Sequence, residues 1–261
     1  MKRRNAKRSL IAGSAVLASL FLVLAVLAPA DAKDKNPAKE LVEKSVKASG
    51  GASKITGWTT RIDKGHMKAE WPGWGELHAN YTRWIRKPDY MKIDQDFAAF
   101  DHPFFFTYYY NKGEVWAVVN LGVRQSERYT ERITKSMKTI DGLAYYLAEC
   151  DTFYLAAEVP DDSLVAAAGI DRVGVVDEGD TVLFDLDKKT HLVVRRIEDR
   201  GAVQVLFDDY REKNGAKLPF KTTAYQADGR VEEVVFEDYL FGAKIDGAIF
   251  EEFRPKPKPK E

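Results

Sequence analysis

The stretch "LFDDYREKNGAKLPFKTTAYQADGRVEEVVFEDY", Leu206 to Tyr239, decides the fold class. It contains three long extended runs broken at Asn214-Gly215 and at Asp228-Gly229. Asn-Gly and Asp-Gly between such runs are the strongest short-range hairpin signal, because a type I′ turn needs positive φ at both central residues. The stretch therefore reads as an antiparallel meander with aromatic residues along it. Its use depends on what its inner face holds.

The same grammar extends toward the amino terminus. "GWTTRIDKGHMKAEW" (57–71), "GELHANYTRWIRK" (75–87), "DYMKIDQDF" (89–97), "FFFTYYY" (104–110) and "EVWAVVN" (114–120) are extended runs divided by Pro, Gly, Asn and Asp clusters. "DRVGVV" (171–176), "DTVLFDLD" (180–187) and "HLVVRRIED" (191–199) lead into the meander. In "DTVLFDLD", Val182, Phe184 and Leu186 alternate with Asp185 and Asp187, the pattern of a half-buried strand. Two departures are helical. "NPAKELVEKSVKASGG" (36–51) has a capping Asn36, Pro37 at the first helical position and a Gly50-Gly51 stop. From Glu131 to Tyr154, Ile133, Met137, Ile140, Leu143, Ala144, Leu147 and Ala148 recur at helical spacing, and "PDDSLVAAAG" (160–169) adds a second small piece. The expectation is a mainly β (α+β) fold of about ten antiparallel strands with one helical excursion. The run "FFFTYYY" is apolar on both faces, and the helices are the only cover the sequence suggests for it.

The first residues give an address. A basic head, "MKRRNAKRS", precedes the apolar run Leu10–Ala30 and the small-residue site Ala30-Asp31-Ala32, the layout of a secretory signal peptide over residues 1–32. The open alternative is an uncleaved anchor, since Leu10 to Leu27 carries no charge and is just long enough to span a bilayer. No cysteine follows the apolar run, which argues against a lipid-modified amino terminus. Cleavage takes five bases and one acid from the 40 of each, leaving a net charge of −4. That balance does not attract nucleic acid. Cys150 is the only cysteine, so no intramolecular disulfide forms, which a chain this long tolerates outside the cytoplasm.

Chemistry-bearing motifs are sparse. His66, His78, His102 and His191 lack ligand spacing, Cys150 has no second thiol, and no G-x-S-x-G elbow occurs. The expectation is no metal, no cofactor and no catalytic step. Trp71 and Trp74 in "WPGW" (71–74) are either rim packing or an exposed tip suited to a membrane interface. The end, "RPKPKPKE" (254–261), reads as an extended tail.

Several segments occur in the order found in LolA-type outer-membrane lipoprotein-sorting proteins. They are "KASGGASKITGW" (47–58), "KPDYMKI" (87–93), "NKGEVW" (111–116), "FDLDKKTHLVVRRIEDRG" (184–201), "DDYREKNGAKLPFKTTAY" (208–225) and "DGAIFEEF" (246–253). The resemblance implies a half-open antiparallel β-barrel over residues 33–253, its concave face covered by a helical lid. It implies a periplasmic carrier or chaperone for acylated lipoprotein or lipid cargo, with an inner-membrane donor and an outer-membrane acceptor. It also implies a lid clasp at the basic residue before Pro88, which is Lys87 here, preceded by Arg86. A lipid- or lipoprotein-sensing regulator of the same fold, anchored by an uncleaved leader, is the alternative. Strand alternation and helix spacing suggest an apolar cavity lined by Tyr81, Met91, Ile93, Phe105, Tyr109, Trp116, Leu206 and Tyr225, with Leu143, Tyr146 and Leu147 from the lid.

Overall fold

The computed structural model describes residues 36–120, 122–156 and 169–255. The leader, the helical piece from 160 and most of the Lys/Pro-rich end lie outside the described residues. Two helices come first, α1 (Pro37–Ala48) and α2 (Ala52–Thr56). The Asn36 carboxamide oxygen accepts from the Ala38 and Lys39 amides, so the cap read from the sequence is made. Six strands follow: β1 (Thr60–Trp71), β2 (Gly75–Arg86), β3 (Tyr90–Asp96), β4 (Phe105–Asn111), β5 (Glu114–Val119) and β6 (Gly122–Arg124). Helices α3 (Glu127–Lys138) and α4 (Leu143–Glu149) then interrupt the sheet. Seven strands return: β7 (Thr152–Leu155), β8 (Ile170–Asp177), β9 (Asp180–Asp187), β10 (Val193–Glu198), β11 (Val203–Lys213), β12 (Ala216–Gln226) and β13 (Val231–Phe241).

These form one sheet of 13 strands in the order β6-β5-β4-β3-β2-β1-β13-β12-β11-β10-β9-β8-β7, three more than the expected ten or so. The additional strands are short, and β7 occupies what helical spacing had assigned to the end of the excursion. Every pairing is antiparallel. The chain builds outward from β1 to one edge, crosses by α3 and α4, and meanders back until β13 lies beside β1. Edges β6 and β7 do not pair, so the barrel stays half open, and the crossing helices lie on its concave side.

The Asn214-Gly215 turn has positive φ at both residues, as type I′ requires. The second turn differs from expectation. Asp228 keeps negative φ, and the Gly229 amide bonds back to the Gln226 carbonyl in a longer loop, Ala227 to Arg230. A type I turn followed by a left-handed glycine explains it.

The β1–β13 seam joins the two halves of the sheet and carries a register shift at Lys64/Gly65. A Cβ on Gly65 would collide with the Val235 carbonyl oxygen, so only glycine permits this approach. Gly65→Ala is expected to lower stability by about 1–3 kcal/mol, read as a shifted urea midpoint with unchanged slope.

Three apolar clusters hold the layers. The largest joins the inner faces of β1–β5 and of β12–β13 to Ile133 and Met137 of α3. A second packs α1 (Ala38, Val42, Val46) and α4 (Leu143, Ala144, Tyr146) on β8 and β9. The third, Tyr109, Trp116 and Val118, lies on the outer face of β4 and β5. Helices do not cover that outer face. The segment after β13 does: Trp116 Nε1 donates to the Glu252 carbonyl at 3.3 Å, and Asn111 Nδ2 donates to the Phe250 carbonyl at 3.3 Å. The apolar character of both faces of "FFFTYYY" thus has two causes, a cavity side and a carboxyl-terminal strap.

Candidate functional site

Between the concave face of the sheet and helices α1 to α4 lies a cavity of about 550 Å³. The alternation of each strand fixes its lining. Met67 of β1, Tyr81 and Arg83 of β2, Ile93 and Gln95 of β3, and Tyr108 of β4 face it from one half of the sheet. Val203, Val205 and Phe207 of β11, Leu218, Thr222 and Ala224 of β12, and Val234 and Phe236 of β13 face it from the other. The helices contribute Val46, Ile55, Ile133 and Leu143, and the corner between α3 and α4 contributes Ile140. Burial pushes the phenols of Tyr81, Tyr108 and Tyr239 above their ordinary range, so all three are neutral hydroxyls at physiological pH.

Of the cavity residues expected from the sequence, Tyr81, Ile93 and Leu143 stand on the wall. Met91 shares their face and is fully buried in the main cluster, behind the wall. Phe105, Tyr109 and Trp116 point the other way: Tyr109 stacks on Trp116 at 4.9 Å, under the carboxyl-terminal strap. Leu206 and Tyr225 are also off the wall, since their neighbours Val205, Phe207, Ala224 and Gln226 line it. A slip of one residue in parity inverts a strand, and that is the error at these five positions. Tyr146 and Leu147 face the α1–β9 cluster, where Tyr146 meets Phe184 at 5.2 Å. Helix α4 therefore meets the cavity only at its first turn, through Leu143 and Ala144, and α3 is the element over the mouth.

Lys87 is where the resemblance puts a clasp. Its Nζ donates to both carboxylate oxygens of Asp141, at 2.6 and 2.5 Å, and to the Thr56 carbonyl at 3.1 Å. Asp141 sits in the corner between α3 and α4, so the partner is a side-chain carboxylate of that corner. Burial pulls the Lys87 ammonium below its ordinary pKa, against the opposing pull of Asp141. Arg86 plays no part in the clasp. Its guanidinium stacks on Tyr90 at 4.1 Å and approaches Phe250 at 5.3 Å, on the outer face.

Reading the sequence alone missed charged residues on the inner face. Arg61, Asp63 and Arg83 share the parity of Met67 and Tyr81, which is the signal that finds them. On the helix side, Lys135 and Arg196 pair with Glu198 at 2.8 and 2.6 Å. Burial opposes the Glu198 charge, but Arg196 and then Lys135 outweigh it and hold the carboxyl below its usual range. At one end of the barrel Trp74 is 66% exposed beside Phe104, whereas Trp71 packs on Phe97, Phe104 and Phe106. No three His, Cys, Asp or Glu side chains among the described residues converge as a metal site.

No family model and no curated protein matches the sequence. Solved structures match the fold. A DUF1329 family protein from Desulfovibrio piger is 13% identical, with 83% of this chain and 98% of that one covered at a TM-score of 0.55. A LolA superfamily protein from Nitrosomonas europaea is 12% identical, covering 82% of this chain and 96% of that one at 0.51. An outer membrane lipoprotein-sorting-type domain from Vibrio parahaemolyticus is 14% identical, covering 80% and 97% at 0.50. At such identities the likeness speaks for the fold: this chain adopts the LolA-like open β-barrel.

Proposed function

We propose that this protein is a periplasmic carrier that holds acyl chains of lipoproteins or related lipids and delivers them toward the outer membrane. The observation that carries the reading is the 550 Å³ cavity, walled by the concave sheet and roofed by α3. Its size falls in the range of about 300–1,000 Å³ typical of small-ligand sites. Each buried methylene contributes about 0.8 kcal/mol, so an acyl chain binds such walls without catalytic or specific polar groups. The LolA-like fold supports the same reading, as does the leader expected over residues 1–32. On this reading the cargo comes from an inner-membrane donor and passes to an outer-membrane acceptor.

Native mass spectrometry of gently purified protein, with displacement by a fluorescent acyl probe, tests the proposal. Bound lipid and saturable one-site displacement are expected. Protein that arrives empty and fails to take up the probe would overturn it.

Entry requires α3 to move, and the Lys87–Asp141 pair is one of the contacts that hold its end, with Lys138–Asp177 and Lys135–Glu198. Lys87→Met is expected to speed amide exchange over Glu127–Lys138 roughly tenfold, with the strands around Asn214 unchanged. Added lipopeptide should slow the same amides. If α3 exchanges as slowly as those strands in both proteins, with or without lipopeptide, the helix is fixed core and there is no gate.

A further inference from the structure

An acyl chain needs apolar walls, and it has no use for two guanidiniums. Arg61 and Arg83 nevertheless project from neighbouring strands into the cavity and share one carboxylate, Asp63. Arg61 gives Nε and Nη2 to Asp63 at 2.6 and 3.1 Å, and Arg83 gives Nε at 2.7 Å, its Nη2 forming an ion pair with the same carboxylate at 2.6 Å. The side chains of Asp63 and Arg61 are 0% and 6% exposed, and that of Arg83 is 19% exposed. Among the described residues, Nη1 of neither arginine meets a hydrogen-bond acceptor.

The cluster thus carries one positive charge more than it neutralises, on a wall that also holds Lys135, Arg196 and Glu198. Trp58 lies 4.4 Å from the Arg61 guanidinium, and Tyr239 lies 5.4 Å from it. Such a charge is costly to bury unless an anion meets it. The other acids on the wall are committed or distant. Asp141 belongs to Lys87, and Glu198 to Lys135 and Arg196. Glu232 is level with Ala69, well along β1 from Asp63, and Glu131 is exposed on α3. The Arg61–Asp63–Arg83 cluster lies beneath Trp58 and the Lys87 clasp, and Met67, Ile93 and Val234 form an apolar stretch of the wall beyond it.

We propose that Arg61 and Arg83, held by Asp63, receive the anionic head of an amphiphile whose apolar chain fills the rest of the cavity. This rests on the carrier reading and specifies its ligand class: a carboxylate or phosphate joined to an acyl or alkyl chain. A guanidinium fork fits either oxyanion through paired N–H donors. Asp63 positions both forks and lowers the net charge, so the site takes a single charged head.

The test is titration of the full chain below micellar concentration with oleate, methyl oleate, a long-chain alkyl phosphate and inorganic phosphate. Oleate and the alkyl phosphate are expected to bind at least about tenfold more tightly than the ester, the size of a charge-assisted hydrogen-bond pair. Inorganic phosphate should show no binding in the same range. Arg83→Gln should reduce the acid-to-ester preference below about threefold, read as the ratio of the two affinities in the same variant. Arg83→Lys should keep part of the preference. Equal binding of oleate and its ester by the wild-type chain overturns the anion site and leaves the carrier standing. Phosphate binding as tight as that of the alkyl phosphate overturns the amphiphile head in favour of a free anion. If no amphiphile binds at all, the carrier reading fails, and this inference fails with it.

Discussion

Truncating Phe250 to alanine is expected to destabilise the protein by about 3–5 kcal/mol while leaving the affinity for an acyl probe unchanged. Phe250 is fully buried, although it lies in a short turn beyond the last strand. Its ring meets Tyr90 at 5.4 Å and the Arg86 guanidinium at 5.3 Å, and its carbonyl accepts from Asn111. The residues beside it extend the attachment: Lys92 reaches Glu252 at 2.7 Å, and Arg254 reaches Glu114 at 2.8 Å. Phe250 anchors this strap, so its loss exposes the Tyr109–Trp116 stack to water as well as leaving a cavity of its own. Urea unfolding gives the first half of the expectation, and probe binding at a temperature where the variant is folded gives the second. A loss of binding without a loss of stability would mean that the outer face, and not the concave one, holds the ligand.

The same geometry changes what substitutions at Phe105 and Tyr109 should do. Alternation alone places them in the cavity, where a charge would block the ligand. Their position under the strap makes them stability residues instead. The sequence could not decide this, because "FFFTYYY" is apolar at both parities and no polar residue marks the outer side. Leu206 fails for the same reason, flanked by Val205 and Phe207, whereas at Tyr225 the polar neighbour Gln226 is itself on the cavity side and misleads the alternation. Tyr81 and Ile93 were legible because Asn80, Thr82, Lys92 and Asp94 alternate with them. The strands, their turns and the half-open sheet follow from local turn chemistry and period. The strap and the seating of α1 against β7 depend on contacts more than a hundred residues apart in sequence, Trp116 with Glu252 and Asn36 with Phe153. Arg61, Asp63 and Arg83 had the correct parity, yet charge in a strand is ordinarily read as solvent-facing.

Adjacent positions in β12 therefore give the sharpest test of the cavity. Ala224 faces it, and Tyr225 faces away. Ala224→Trp would place an indole where about three or four methylenes of a ligand chain would lie. At about 0.8 kcal/mol for each methylene, the loss is roughly 3 kcal/mol, or on the order of 100-fold in affinity. The stability cost should be small, because the indole enters existing space and displaces no packed neighbour. Tyr225→Ala, one residue along, should leave affinity within about twofold, since its side chain lies across the sheet from the ligand. Displacement titrations of both variants with one acyl probe decide the matter. If Ala224→Trp binds as the wild type does and Tyr225→Ala weakens, then the ligand lies on the convex face. If both variants bind normally, the cavity is not where the chain goes. The expected asymmetry between neighbours follows from the twofold period of a strand, so it depends on no assumption about which lipid is carried.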